Sequence, residues 1–156
     1  MTQNNLRTTI HDRDGREYNV TEYGSERFNI QRRGVPIGYA NFHFEGADVL
    51  HLDDLHIEDD AIFPPWFSCP LPFVILSFPP LRWRTENFQG RGIGTAMIQF
   101  LVDYARSKFA KRIEGEVKPH DFKDNPDLPD WYRRRGFTVT AGDEKTAWIA
   151  KISRAV

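Results

Sequence analysis

The chain carries a single cysteine, Cys69, in 156 residues. One thiol excludes a disulfide framework, and no set of zinc ligands surrounds it in the sequence, so no metal is expected. An excess of either charge is missing too: 21 Lys and Arg against 22 Asp and Glu leave a net charge of −1. That balance argues against bulk nucleic-acid binding, which needs a clustered basic surface. The first residues, MTQNNLRTTIHDRDGRE, lack the apolar stretch of a secretory leader, and the expectation is a cytoplasmic protein. A chain of this length can bury one core unaided, so residues 1–156 are read as a single domain.

Charge is wholly missing from one internal stretch, Ala61 to Leu81, AIFPPWFSCPLPFVILSFPPL. Its length approaches a membrane span. Pro64, Pro65, Pro70, Pro72, Pro79 and Pro80 would leave backbone groups unpaired in lipid, which excludes a transmembrane helix. So many aromatic and aliphatic side chains also exceed what a surface loop exposes without risk of aggregation. The stretch must be buried against the domain, a ligand or a second subunit.

What is present is organised around Gln89-Gly90-Arg91-Gly92-Ile93-Gly94-Thr95-Ala96. From Ile93 onward the apolar positions Ile93, Ala96, Met97, Phe100, Leu101 and Tyr104 recur every three and four residues. That spacing predicts a helix with one buried stripe, and no proline interrupts it before Lys111. Glycines at a helix start expose backbone N–H groups at the positive end of the dipole, which makes an anion site suited to a diphosphate. Gly92 and Gly94 allow close backbone approach, while Gln89 and Arg91 can add donors from the flank.

The competing motifs fail. A phosphate loop of the Walker type needs Gly-Lys-Ser/Thr, and here Thr95-Ala96 follows Gly94. A dinucleotide fingerprint needs a small residue where Met97 stands. Further on, Trp131-Tyr132-Arg133-Arg134-Arg135-Gly136-Phe137 reads as a short helix stopped by a C-cap glycine and followed by a strand. Its three arginines are read as a solvated helix face where cations suit the dipole. Together, Gln89, Gly92 and Gly94 resemble the Gln/Arg-x-x-Gly-x-Gly/Ala signature of the GNAT N-acetyltransferase superfamily. WYRRRGF resembles that superfamily's aromatic-Tyr-x-x-x-Gly-Phe element. The resemblance covers about residues 35 to 153.

It implies an α+β fold. The sheet would be mostly antiparallel, with splayed parallel fourth and fifth strands and a long helix after the phosphate loop. The sequence supplies strands at Thr8–His11 and Glu17–Tyr23 around an Asp-Gly turn, then at Glu26–Arg32, Val35–Glu45 and Val49–Ile57. Within Val35–Glu45, Ile37, Tyr39, Asn41 and His43 alternate against Gly38, Ala40, Phe42 and Phe44. The fifth family strand is read at Arg112–Lys118. Two departures stand out. The few residues around Tyr23-Gly24-Ser25-Glu26 cannot hold the two helices the family places between its first strands. An apolar insert at about 58–88 occupies what is normally a short connection, and Phe73 to Phe78 within it is a further strand candidate.

The resemblance also implies chemistry: acetyl transfer from acetyl-CoA to a primary amine of a small molecule or peptide, directly, in a ternary complex. Gln89, Gly90, Arg91, Gly92, Ile93, Gly94 and Thr95 would hold the diphosphate. Leu55, His56 and Ile57 would pair with the pantetheine arm, one N–H facing the thioester oxygen, and Asn125 is placed to touch that arm. Tyr132 would protonate the leaving thiolate, its reference pKa standing only about 1.5 units from that of a thiol. The base is left open among Asp53, Asp54, His56, Glu114 and Glu116. Glu116 is preferred because it lies nearer the end where the strands separate. His120 is read as a loop residue and Cys69 as a buried, inert thiol. The insert would replace the missing helical wall as an apolar acceptor pocket, and a homodimer through it is left open. The alternatives are a catalytically silent acyl-CoA-binding or sensing domain and an oligomerisation module.

Overall fold

The structure is a computed structural model and describes residues 7–63, 84–142 and 147–156. The Asp-Gly turn behaves as its chemistry requires. Asp12 accepts hydrogen bonds from the N–H groups of Asp14 (2.9 Å) and Arg16 (2.8 Å), and Gly15 takes φ 76°. It joins β1 (Arg7–His11) to β2 (Glu17–Glu22), and short turns continue the meander through β3 (Arg27–Arg32), β4 (Val35–Glu45) and β5 (Val49–Ile57). No helix occurs in residues 7–63, so the two family helices are missing from this part of the chain.

Next come β6 (Asp60–Phe63) and β7 (Arg84–Asn87), paired as an antiparallel ladder from Asp60↔Asn87 to Phe63↔Arg84. Then follow α1 (Ile93–Ser107), β8 (Arg112–Val117), α2 (Pro119–Asp124), α3 (Leu128–Arg133), β9 (Thr138–Ala141) and β10 (Ala150–Ala155). The main sheet runs β1-β2-β3-β4-β5-β8-β10-β9, and among the described residues only β5 and β8 pair in parallel. The apolar insert enters and leaves through the β6–β7 ladder. Residues 64–83, with Trp66, Phe67, Cys69, Phe73 and Phe78, lie outside the described residues. The expected acceptor wall, the dimer contact and the strand candidate Phe73–Phe78 fall there. Phe63 is described, and it packs into the core 6.1 Å from the Phe88 ring. None of the described helices is long and apolar enough to cross a membrane.

The core forms where α1 lies on the sheet. Phe28 is fully buried, with the rings of Phe42, Phe100 and Tyr104 each 4.9 Å away. Truncating it to Ala removes the centre of this cluster, a change that costs about 3–5 kcal/mol in comparable cores. Two expectations are corrected. Ile37 shares the buried face with Ala40 and Phe42, because the β3–β4 register shifts between Ile30 and Gln31 and leaves Ile37 as the extra residue of a bulge. The helix ends at Ser107, and its buried face takes in Ile98, Val102 and Ala105, wider than the predicted stripe. A helix laid across a broad sheet covers more than one ridge of side chains.

Candidate active site

The glycine loop opens α1 without any side-chain cap. Gly90 (φ 67°) and Gly92 (φ 86°) adopt left-handed conformations that only glycine takes without strain. The Gly92 carbonyl accepts the Ala96 N–H at 3.0 Å, so the N–H groups of Ile93, Gly94 and Thr95 have no intrahelical acceptor. No acidic residue stands in the first turn to neutralise the dipole. These groups line a hollow of about 510 Å³. Gln89, Gly90, Gly92, Ile93, Gly94 and Thr95 border it, together with Ile57 and Asn125 from the predicted set. Arg91 does not. Its guanidinium lies over the Phe88 ring, 5.3 Å from the centroid, and 3.7 Å from the Glu86 carboxylate that also pairs with Arg32.

Three cations that sequence reasoning did not place at this site converge on the hollow: Arg13, Arg134 and Arg135. Arg13 comes from the β1–β2 turn, whose backbone is tied to the loop by Arg13 N–H donating to the Arg91 carbonyl at 2.9 Å. The turn is itself anchored by Asp12, which is buried and accepts the Tyr18 hydroxyl at 2.8 Å. Burial opposes its charge, but the Arg16 and Asp14 N–H groups, the Tyr18 hydroxyl and the Arg16 cation hold its carboxyl below the ordinary range. Arg135 stacks on Trp131, 3.7 Å from the ring centroid, donates to the Trp131 carbonyl at 2.7 Å and reaches Thr95 Oγ1 at 2.9 Å. Burial, then the like charges of Arg134 and Arg13, lower its pKa. A cluster of mutually repelling guanidiniums beside uncapped helix N–H groups is what a phosphorylated ligand relieves. Part of the signal was legible as the Arg133–Arg135 run. Arg13 left no trace in the sequence pattern.

The second feature is the splay. The β5 and β8 strands pair from Val49↔Arg112 to Leu52↔Gly115, where their ladder stops. Beyond it β5 remains paired only with β4, after a register shift that leaves Asp53 as a bulge residue. Alternate backbone groups of the Leu55-His56-Ile57 segment therefore face the gap. A cleft of about 60 Å³ occupies the gap, and Leu55, Glu116 and Tyr132 all line it. His56 borders neither space. Its ring lies 5.5 Å from that of Tyr39, with Nε2 3.5 Å from Glu58.

Tyr132 is 8 % exposed, packed edge-on against Trp131 and Phe137, and its hydroxyl has no hydrogen-bond partner among the described residues. Burial above all, then the charges of Asp121 and Asp54, push its pKa well above that of an ordinary phenol. The near match with a thiol assumed from reference values does not hold in this setting, although the phenol stays protonated at any working pH. The two glutamates of β8 are separated by their partners. Glu114 meets Arg112 Nε at 2.6 Å and Lys151 Nζ at 2.9 Å, and these partners depress its pKa despite partial burial. Glu116 is exposed and unpaired among the described residues. Asp54 accepts the Tyr39 hydroxyl at 2.9 Å, and Asp53 bridges His43 (2.9 Å) and His51 (3.3 Å).

An uncapped glycine turn, flanked by three arginines, thus stands beside the open edge of the β5–β8 pair. The sequence model described as the acetyltransferase (GNAT) family matches residues 4–137, and the chain belongs to that family. Solved structures agree on the fold. The GNAT domain of PAT from S. lividans is similar with a TM-score of 0.63 at 12% identity, covering 96% of this chain and 97% of that one. Ard1 from Thermoplasma volcanium gives 0.56 at 14%, over 84% of this chain and 70% of its own. A GNAT family acetyltransferase from Elizabethkingia anophelis, solved with acetyl-CoA bound, gives 0.54 at 10%, over 88% and 76%. Among curated proteins none matches the chain. The chain is thus an acetyltransferase of the acyl-CoA-dependent kind, with acetyl-CoA as co-substrate.

Proposed function

We propose that the chain transfers the acetyl group of acetyl-CoA to a primary amine by direct attack in a ternary complex. One observation carries this reading: β5 and α3 each border both spaces. Ile57 and Trp131 face the basic hollow, while the neighbouring Leu55 and Tyr132 face the cleft. A carrier held by its phosphates in the hollow can then run along the Leu55–Ile57 edge into the cleft.

Acetyl-CoA supplies an activated acyl carbon on a thiol leaving group. The hollow binds, through the N–H groups of Ile93, Gly94 and Thr95 and through Arg13, Arg134 and Arg135. The backbone edge at Leu55-His56-Ile57 orients, with one N–H directed at the thioester oxygen. Glu116 takes a proton from the attacking nitrogen as the C–N bond forms. Tyr132 donates its hydrogen to the sulfur as the C–S bond breaks. Because its pKa is raised, Tyr132 acts first as a hydrogen-bond donor to the developing thiolate. Glu114, held by two cations, is a poor base, which leaves Glu116 as the free carboxylate of the pair.

Thiol release from acetyl-CoA in the presence of an amine panel tests this reading, and Glu116→Gln should move the alkaline-rising limb of kcat/KM. An unmoved limb passes the role to Asp53, Asp54 or His56. The raised pKa of Tyr132 favours one second reading, a catalytically silent acyl-CoA-binding domain. Calorimetric binding of acetyl-CoA without turnover on any amine would establish it.

A further inference from the structure

The cleft has a charge pattern that the acetyl group does not need. Four carboxylate residues line it (Asp53, Asp54, Glu116 and Asp121), and no lysine or arginine does. The cations around it are engaged elsewhere: Arg27 stacks on the Tyr39 ring, whose hydroxyl bonds Asp54, and Arg135, whose charge reaches Tyr132, stacks on Trp131. Lys151, the register partner of Glu116, turns its Nζ to Glu114, and Arg112 turns its Nε to the same carboxylate. Glu116 is left with two free oxygens, and Asp54 keeps Oδ1 free beyond its bond from Tyr39. Asp53 and Asp121 add negative field, although each has polar neighbours of its own.

A second observation points to a ligand independently of the acids. Tyr132, 92 % buried by its exposure of 8 %, borders the cleft with a hydroxyl that no described residue satisfies. Its oxygen can accept from an N–H while its hydrogen is kept for sulfur. Leu55 and Leu128 line the same slot of about 60 Å³ as the acids and this phenol. Leucine side chains beside carboxylates suit a methylene chain with ammonium groups spaced along it.

Building on the acetyl-transfer reading, we infer that the acceptor is a linear aliphatic di- or polyamine, and that the cleft rejects amines carrying a carboxylate on the same chain. One primary amine enters as the free base, its ammonium proton left in solvent, and gives a proton to Glu116 as the C–N bond forms, while Tyr132 hands its hydrogen to the sulfur as the C–S bond breaks. The products are the N-acetyl amine, the CoA thiol and one proton. The second ammonium stays charged against Asp54 and Asp121. An acceptor carboxylate would enter a field of four like charges with no lysine or arginine among the lining residues to receive it.

Three amines of one chain length isolate the effect: 1,4-diaminobutane, 1-aminobutane and 4-aminobutanoate. By thiol release, kcat/KM should fall about tenfold at each step in that order, and the diamine's advantage should shrink as salt rises. Asp54→Asn and Asp121→Asn should each draw the diamine-to-monoamine ratio toward one. A ratio near one in the parent protein, a faster rate with 4-aminobutanoate, or a ratio untouched by both substitutions overturns the proposal. A lysine-containing peptide with a kcat/KM above that of the diamine overturns it in favour of a protein acceptor. Should no amine release thiol, calorimetry on the CoA complex still decides. Binding of 1,4-diaminobutane that Asp54→Asn weakens about tenfold supports the acceptor class while refuting catalysis. No diamine binding refutes the class itself.

Discussion

The hollow and the cleft adjoin along β5, yet they are opposites. The hollow is framed by three arginines against one glutamate, Glu58, and by backbone N–H groups at a helix start. The cleft holds four carboxylates and no basic side chain among its lining residues. With a net charge of −1 the chain has no field to offer as a whole, so selectivity comes from sorting charge over a short distance. One end suits an anion, the other a cation. Damage to one space should therefore leave the other's ligand largely unaffected.

The largest break in that comparison should come from Gly92→Asp. The substitution forces an L residue into φ 86° and sets a carboxylate among donors meant for phosphate. Acetyl-CoA affinity should fall by about 10³-fold in calorimetry on folded protein, and equal affinity would falsify the loop's role. Next, Tyr132→Phe keeps the packed ring and removes the proton. We expect kcat to drop by about 10²-fold with acetyl-CoA affinity within twofold of the parent. An unchanged kcat would reduce Tyr132 to a packing residue.

Arg13→Ala sharpens the comparison further, since it touches only the hollow. It should weaken acetyl-CoA by about tenfold and leave the acceptor KM unmoved. A shift in acceptor KM instead would mean that the two spaces are not independent. The smallest effect is on stability. Asp12 has a lowered pKa in the folded state, so its contribution is complete above the unfolded value near pH 4 and fades as pH falls through the folded value. Asp12→Asn should lower Tm by roughly 2–6 °C at pH 7, and the gap to the parent should close in acid. A gap constant down to pH 2 would show that the carboxylate's charge contributes nothing.

The sequence by itself determined the elements whose cause is local. The Asp-Gly turn, the strand limits Val35–Glu45 and Val49–Ile57, the uncapped glycine start of α1 and the Gly136 stop after α3 all depend on residues adjacent in the chain. The missing helices were legible for the same reason, because four residues cannot form two helices whatever surrounds them. The candidate site was half legible: its backbone donors follow from glycine positions, while its side chains do not. Arg91 and Arg13 look alike as exposed arginines in polar turns. The packing of the β1–β2 turn against the loop sends Arg13 into the hollow, while Glu86, the Phe88 ring and the Tyr18 hydroxyl draw Arg91 away. Glu114 and Glu116 alternate identically on β8. It took Lys151, thirty-seven residues beyond Glu114 and brought alongside by the antiparallel β10, to tie up one and leave the other free. The bulge at Ile37 and the raised pKa of Tyr132 have the same origin. Register, burial and the field of distant carboxylates are set by which strands and helices meet, and a period of two or of 3.6 along the chain carries no record of that.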